Sequence, residues 1–539
     1  MSTEQINQAI ENAEPVQPAD TRIELTSCNM TPKEALLELC GEAEFWRTPD
    51  GTVYATLHID GHQERHAVAS RDFRDWLLSQ LARRFTNKGR AASANEAAVR
   101  EARHYAEAEA FLKNCVQEAE LRVMGGENAV FMDRGGRDWS AFQVTAQGWS
   151  VVAIPPVPIL RSRRTAAMVE PSAPGDFAAL RHMLRNLDDD AFILVVAWCL
   201  GALAARGPFA VLVLIGEGGV GKSTLVRVIQ SLVDPCTGDV LAPPREDRDL
   251  IAAAKHARLL PFDNLSSISP ELGDSICRLA TGAEIGGRAL YSNHDSASFA
   301  ACRPIVLNGI ADLASRSDLL DRSLVIRLQP LESWITESDM EEAIAQALPH
   351  VLHGLLDALA CGLRNLKSTP TPDVRMADFA RLVVAAEPML PWRQGAFLGA
   401  FRRNRRQALA ALVDGDVVGQ AIKAFAHRHP AGWSGMVSQL LEQLSRTVPE
   451  HVRRTREWPG NARWLTDRIR RVAPGLRSLG IPITTGGRSA AGAEVTIGPL
   501  AASATSATSD ADADDASVAS DAGGGPSATP SGLNGLRSH

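Results

Sequence analysis

The clearest change of pattern along the chain lies at residues 211–229. Five consecutive apolar residues, Val211 to Ile215, run into a glycine-rich loop, and apolar positions resume at Leu225, Val226 and Ile229. An unbroken apolar run bounded by turn residues suits a strand buried on both faces, and the later spacing suits one face of a helix. Two further runs repeat the strand pattern: "ARLLPFDNL" at 257–265 and "RPIVLNGI" at 303–310. Strands alternating with helices over 176–330 predict a mostly parallel sheet, hence an α/β core.

The flanks follow other patterns. Residues 1–20 are polar and aperiodic, which predicts a flexible lead-in. In "AEFWRTPDGTVYATLHIDGHQERHAVAS" two strand-like runs flank turn signals at Pro49-Asp50-Gly51 and Asp60-Gly61, and helical patterns follow through Leu112. Residues 21–160 therefore read as a small α+β domain, and 161–175 as a basic linker. Beyond the core, Ser338 with Glu341 three residues on is a capping-box start. Helical periodicity then continues, so 331–416 reads as a helical lid. Residues 417–498 carry helix-like segments near 417–428, 435–446 and 461–472, then "IPITTGGRSAAGAEVTI", which reads as two strands around a Gly-Gly-Arg tip. Three helices and a hairpin predict a winged helix. Residues 499–539 contain no aromatic and are rich in Ala, Ser, Thr, Gly and Asp, the composition of a disordered tail.

Composition narrows the function classes. A chain of 539 residues with 45% apolar residues suits several domains with large cores. The apolar run Phe192 to Ala205 is 14 residues, short of the roughly 18 a membrane span needs, so no membrane partner is expected. "MSTEQINQAI" lacks a signal pattern, and the eight cysteines show no CxxC spacing, which reads as a reduced, cytoplasmic protein. The formal net charge of −7 hides an asymmetry: Arg402 to Arg488 holds 16 Lys and Arg against 6 Asp and Glu. That surplus points to an acidic partner at the C-terminal end.

The loop itself, "GEGGVGKST", fits GxxxxGK[ST] between a strand and a helix. Gly216, Glu217, Gly218, Gly219, Val220 and Gly221 supply successive backbone N–H groups that can cradle phosphate oxygens, with the helix dipole behind them. Lys222 would reach the β and γ phosphates, Ser223 would place its hydroxyl on Mg²⁺, and Thr224 is a neighbouring phosphate contact. ATP and Mg²⁺ are the expected ligands. Asp263, ending the second strand, reads as a carboxylate holding Mg²⁺ through water, with an ordinary strand-end turn as the alternative. Asn308, ending the third, can contact the γ-phosphate or its water, or simply close a turn before Gly309. Arg316 and Arg322 follow, either able to reach a neighbouring subunit's nucleotide or to form a surface ion pair.

The stretch between Asp263 and Asn308 resembles the superfamily 3 helicases and their relatives. Thr281-Gly282-Ala283-Glu284 matches their acidic turn, Arg288 and Tyr291 their basic and aromatic hairpin, Phe299 and Pro304 the run-in, and Asn308 their polar sensor. With the upstream domain, Gly216 to Leu328 resembles primase-helicase-type proteins of phages and integrative elements. The resemblance implies an AAA+-like P-loop NTPase core, a homo-oligomeric ring and single-stranded DNA in its channel. The chain departs from the pattern in one place. Asp263 is followed by Asn264 rather than a second acidic residue, so Asn264 becomes a candidate for handling the attacking water, with Glu217 and Glu246 as carboxylates to consider after it.

Arg288, Tyr291 and His294 also form the cation and stacking mixture that single-strand binding uses, although a solvated loop has the same composition. "WPGNARWLTDRIRRVAPGL" sets Ala462, Leu465, Ile469 and Val472 on one helix face and leaves Arg463, Arg468, Arg470 and Arg471 largely off it, a face suited to duplex phosphates or to a protein partner. The sequence thus predicts a DNA-dependent ATPase, a helicase of a mobile element. A nucleotide-switched DNA-binding regulator is its rival, and a small-molecule kinase would leave Asn308 and Arg322 without purpose. Residues 21–160 hold no carboxylate cluster for a two-metal polymerase site.

Overall fold

The computed structural model describes residues 22–238, 240–286, 298–309, 317–331, 336–489 and 492–500. The N-terminal part runs β1 (Ile23–Glu24), α1 (Pro32–Cys40), β2 (Glu44–Arg47), β3 (Val53–Ile59), β4 (His62–Ala67), α2 (Arg71–Arg84), β5 (Phe85–Asn87), β6 (Arg90–Ala91) and α3 (Glu96–Lys113). The region that shows two strand-like runs in sequence folds as three antiparallel strands, β2, β3 and β4. Asp60 and Gly61, both at positive φ, make the tight turn between β3 and β4. Leu36, Phe45, Leu57, Phe73, Leu77 and Val99 fill a core of their own beneath these elements.

That core ends near residue 113, so the first domain is smaller than the 21–160 expected. The next strands are β7 (Glu120–Leu121), β8 (Val123–Gly125), β9 (Ala129–Asp133), β10 (Ala141–Thr145), β11 (Gly148–Val152) and β12 (Ile159–Leu160). Val123, Met132, Phe142 and Val144 of this module belong to the largest core of the molecule, not to the N-terminal one. Residues 161–175 are equally engaged. Arg161 forms a two-pronged pair with Asp133, and Ser172 N–H donates to Pro349 O at 3.0 Å.

The central part runs α4 (Ala178–Met183), α5 (Asp189–Ala202), β13 (Val211–Ile215), α6 (Lys222–Val233), α7 (Asp247–His256), β14 (Leu260–Leu265), α8 (Pro270–Thr281), β15 (Ile285–Gly286), β16 (Ser298–Phe299), β17 (Ile305–Gly309), α9 (Ser317–Leu320) and β18 (Ser323–Arg327). Four of these strands form one all-parallel sheet in the order β14-β17-β13-β18. Their apolar runs are buried on both faces, which is what a parallel sheet covered by helices requires.

Behind the sheet a chain of buried charges ties the β7–β12 module to the core. Arg122, 2% exposed, donates to Asp234 Oδ1 at 2.8 Å and to the carbonyls of Asp133, Ala166 and Pro235. Asp234 Oδ2 accepts the backbone N–H groups of Arg258 and Leu259, just before β14. One carboxylate thus fixes the end of α6 to the start of β14. Arg258 is wholly buried, and burial pushes its pKa down to about 10. A cavity of about 20 Å³ lies beside this network, lined by Arg122, Gln230 and Cys236 among others, with room for a water and none for a nucleotide.

The remaining elements are α10 (Glu337–Asn365), α11 (Ala377–Ala386), α12 (Ala396–Asp414), α13 (Val417–Arg428), β19 (Trp433–Met436), α14 (Val437–Thr447), α15 (Glu450–Arg453), α16 (Ala462–Ser478), β20 (Ile483–Ser489) and β21 (Gly492–Ile497). Helix α10 is long and apolar enough to cross a membrane by length and composition. Its Leu348, Val351, Leu352, Leu355 and Leu359 are instead buried in the core shared with α5 and α6. The helices read as a lid over 331–416 are therefore structural walls of that core. In the last segment the sequence reading misses a short strand: β19 follows α13 and pairs with β21, giving the order β19-β21-β20.

Candidate functional site

The loop 216–221 leaves β13 at its carboxyl end and enters α6 directly. Gly219 and Gly221 hold φ of 81° and 84°, a backbone region in which a side chain is strained. At Gly216 a Cβ would meet Val220 Cγ2 at 2.8 Å, so the tight turn needs glycine there for space. Val220 is buried beneath the loop, while Glu217, Gly218, Gly219 and Ser223 are exposed and Thr224 is half-buried. Lys222 folds back over the loop, donating to Gly216 O at 2.8 Å and Glu217 O at 2.6 Å. Partial burial lowers its pKa, with the Asp263 charge opposing.

Asp263 is the centre of the site. Its Oδ2 accepts from Ser223 Oγ at 3.0 Å, and its Oδ1 accepts from both Asn308 Nδ2 and the Asn264 backbone N–H, the latter at 2.7 Å. The sheet order explains this convergence. β17 lies between β13 and β14, so the polar residues ending the two later strands fall beside the loop that ends the first. Asn308 is 1% exposed, and its Oδ1 has no hydrogen-bond partner among the described residues. Asn264 sits differently from the expectation. Its side chain is exposed, and the residue adopts φ 58° at a bulge where the β14–β17 register shifts between Phe262 and Leu265. The group it offers Asp263 is its backbone N–H.

Two residues of the site are not singled out by the sequence. Asn186, 7% exposed, donates from side-chain Nδ2 to Val220 O at 2.7 Å and accepts Gln329 N–H at its backbone carbonyl. It fastens the loop to the chain leaving β18. Arg327 pairs in register with Ile215 and is exposed beside the loop exit. An arginine at a strand end was the available signal for it. Asn186, 34 residues upstream of its partner, gave none.

Arg322 lies at the opposite end of the sheet. Its carbonyl accepts Val211 N–H, its Nη1 donates to Asp318 O at 2.9 Å, and the whole length of β13 separates it from Lys222, roughly 13 Å of strand. It therefore lies a strand's length from its own loop. Glu246 is exposed and pairs with Arg248 at 2.6 Å. Arg288, Tyr291, His294 and Arg316 lie outside the described residues.

On α16 the arginines divide. Arg463 and Arg470 are exposed, Arg470 with Asp467 at 3.5 Å, and Trp464 beside them is 39% exposed. Arg471 is half-buried. Arg468 is a correction to the expected DNA contacts. It donates to the buried Asp416 at 2.9 Å and to Glu457 O, so its charge is engaged within the domain. The pairing escaped the helix pattern because Asp416 lies 52 residues away.

Residues 180–394 match the model of the actinomycete integrative conjugative element replication protein, and residues 418–507 match the C-terminal domain model of the same RepA family. By both matches the chain is similar to a mobile-element replication protein. The two stretches take in the parallel sheet, the α10–α11 helices and the β19–β21 domain, and exclude the N-terminal domain. No curated protein matches. Among solved structures, the chain is similar to SCCmec type IV Cch, an active helicase, at 12% identity over 85% of this chain and 93% of that one, with a TM-score of 0.45. It is also similar to the apo C-terminal region of NrS-1, at 10% identity over 86% and 98%, TM-score 0.36, and to JCV helicase, at 16% over 43% and 71%, TM-score 0.21.

Proposed function

We propose that this protein is an ATP-hydrolysing, DNA-dependent helicase serving replication of an integrative element, built on a P-loop NTPase core of the AAA+ type and working as a homo-oligomeric ring. The observation that carries the reading is the convergence of Ser223, Asp263 and Asn308 at the end of the glycine loop. A hydroxyl and a carboxylate are hard oxygen donors of the kind Mg²⁺ takes, and the loop amides with Lys222 suit phosphates. The residues present therefore fit ATP with Mg²⁺: Gly216 to Thr224 would hold the phosphates, and Ser223 and Asp263 the metal. When bound, the metal supplies neutralising charge at the phosphates.

The chain's own groups supply the rest. Lys222 exchanges its two carbonyl partners for the β and γ phosphates. Asn308 fixes Asp263 through Nδ2 and keeps Oδ1 for the attacking water. Asn186 keeps the Val220 carbonyl turned away, so the loop amides stay directed inward. Arg322, a strand's length from its own loop, acts on a neighbour's nucleotide, which makes a ring necessary for turnover. In the last domain the order helix, strand, helix, short helix, helix and hairpin supports a winged helix whose Arg463 and Arg470 meet duplex phosphates. Eight free thiols suit a cytoplasmic protein.

A nucleotide-switched DNA-binding regulator would use the same residues, and strand displacement separates the two. On a forked duplex with ATP and Mg²⁺, the parent protein should release the labelled strand and Lys222→Ala should not. ATP turnover without strand release would favour the switch.

A further inference from the structure

The N-terminal domain carries several cations that form no ion pair among the described residues. Among its exposed cations, Lys33 pairs with Glu101, Arg71 and Arg74 with Asp75, Arg84 with Glu42 and Lys113 with Glu109. The exposed Arg83, Lys88, Arg90 and Arg100 and the half-buried Arg103 have no ion pair among the described residues; Arg83, Lys88 and Arg90 lie on or beside the β5–β6 hairpin, and Arg100 and Arg103 on α3. Asn87 to Ala91 are all exposed.

The hairpin tip is held in shape. Lys88 and Gly89 take φ of 54° and 72°, the left-handed pair of a tight two-residue turn. The Glu24 carboxylate accepts from Thr26 Oγ1 at 2.7 Å, Thr86 Oγ1 at 2.8 Å, Lys88 N–H at 2.8 Å and Gly89 N–H at 3.3 Å. Those bonds pull its pKa to about 2. The hairpin is rooted in the N-terminal core by Phe85 and Ala92, both 3% exposed, and only its tip, Asn87 to Ala91, reaches solvent.

We infer that the β5–β6 hairpin is a second DNA-binding element, gripping the phosphate backbone of duplex DNA with Lys88, Arg90 and Arg83. The inference rests on the DNA-acting function proposed above. Duplex is favoured over single strand because single-strand sites add aromatic platforms for unstacked bases, and Asn87 to Ala91 include none. A preformed, exposed cationic tip suits an extended polyanion more than a small ligand.

The test is duplex binding by the full-length protein across a salt series, without nucleotide, beside an equal-length single strand and anionic phospholipid vesicles. R83A/K88A/R90A should bind duplex at least roughly tenfold more weakly at fixed salt, with a log–log salt slope shallower by roughly 2 to 3, since each B-DNA phosphate contact contributes about 0.9. Its thermal midpoint and DNA-free ATP turnover should match the parent. Glu24→Gln discriminates further. Removing an anion tightens binding if only net charge matters, whereas a preorganised tip predicts weaker binding. A variant with the parent's duplex affinity and slope overturns the inference, as does a loss confined to single strands or to vesicles, or tighter binding by Glu24→Gln. If the parent binds no duplex at any salt, the DNA-acting function falls with it.

Discussion

At the residue scale the site turns on how Asp263 is held. Three groups converge on it, and one of them, the Asn264 N–H, depends on a left-handed backbone that costs a residue with a Cβ about 1 to 2 kcal/mol unless, like Asn, it tolerates that region. We propose that Asn264 serves Asp263 through its backbone N–H, so that the second acidic residue of the pattern matters less than the sequence implies. Replacing Asn264 by glycine should leave steady-state ATP turnover near the parent rate, while Asn264→Ala should slow it roughly tenfold through a displaced Asp263. Equal losses in both variants would return the role to the side-chain amide. Of the residues legible in sequence, Asp263 and Asn308 sit at the end of apolar runs, and Lys222 and Ser223 open the helix after the glycine loop that follows a third. Asn186 and the Arg468–Asp416 pair were illegible because their partners are distant in sequence and their own positions carry no pattern.

At the element scale, α12 links the sheet to the C-terminal domain. Asn404 on α12 donates to Val325 O at 2.6 Å and accepts Val325 N–H at 3.1 Å, closing the open edge of β18 with one side chain. Arg405 pairs with Asp321 at 2.8 Å on the same side. At its other end α12 lies so close to α16 that a Cβ on Gly475 would meet Leu409 O at 2.7 Å. The sequence showed these helices but not the contact, since a glycine inside a helical pattern does not announce the neighbour it admits. Asn404→Leu keeps the branching at Cγ and leaves both Val325 backbone groups without their partner. It should lower unfolding free energy by about 1 to 3 kcal/mol in denaturant titration. An unchanged midpoint and slope would mean that water closes this edge equally well.

At the scale of the whole molecule, the parallel core and the C-terminal domain were readable because their elements follow period and turn chemistry. The domain boundaries were less so. The β7–β12 module looks like part of the first domain along the chain, yet it packs into the central core through Phe142 and Met132 and through the Arg122–Asp234 pair. A boundary written in tertiary contacts leaves no break in composition. The same packing draws the described residues of 120–414 into shared cores on either side of the sheet that carries the glycine loop. The central claim is that the protein hydrolyses ATP and that DNA governs the rate. Phosphate release by the full-length protein with Mg²⁺ and ATP, with and without DNA, tests it most directly, beside Lys222→Ala. The account predicts turnover by the parent that rises when DNA is added, and none above background for Lys222→Ala in either condition. Release by Lys222→Ala at the parent rate, or a parent rate that DNA leaves unchanged, would contradict it.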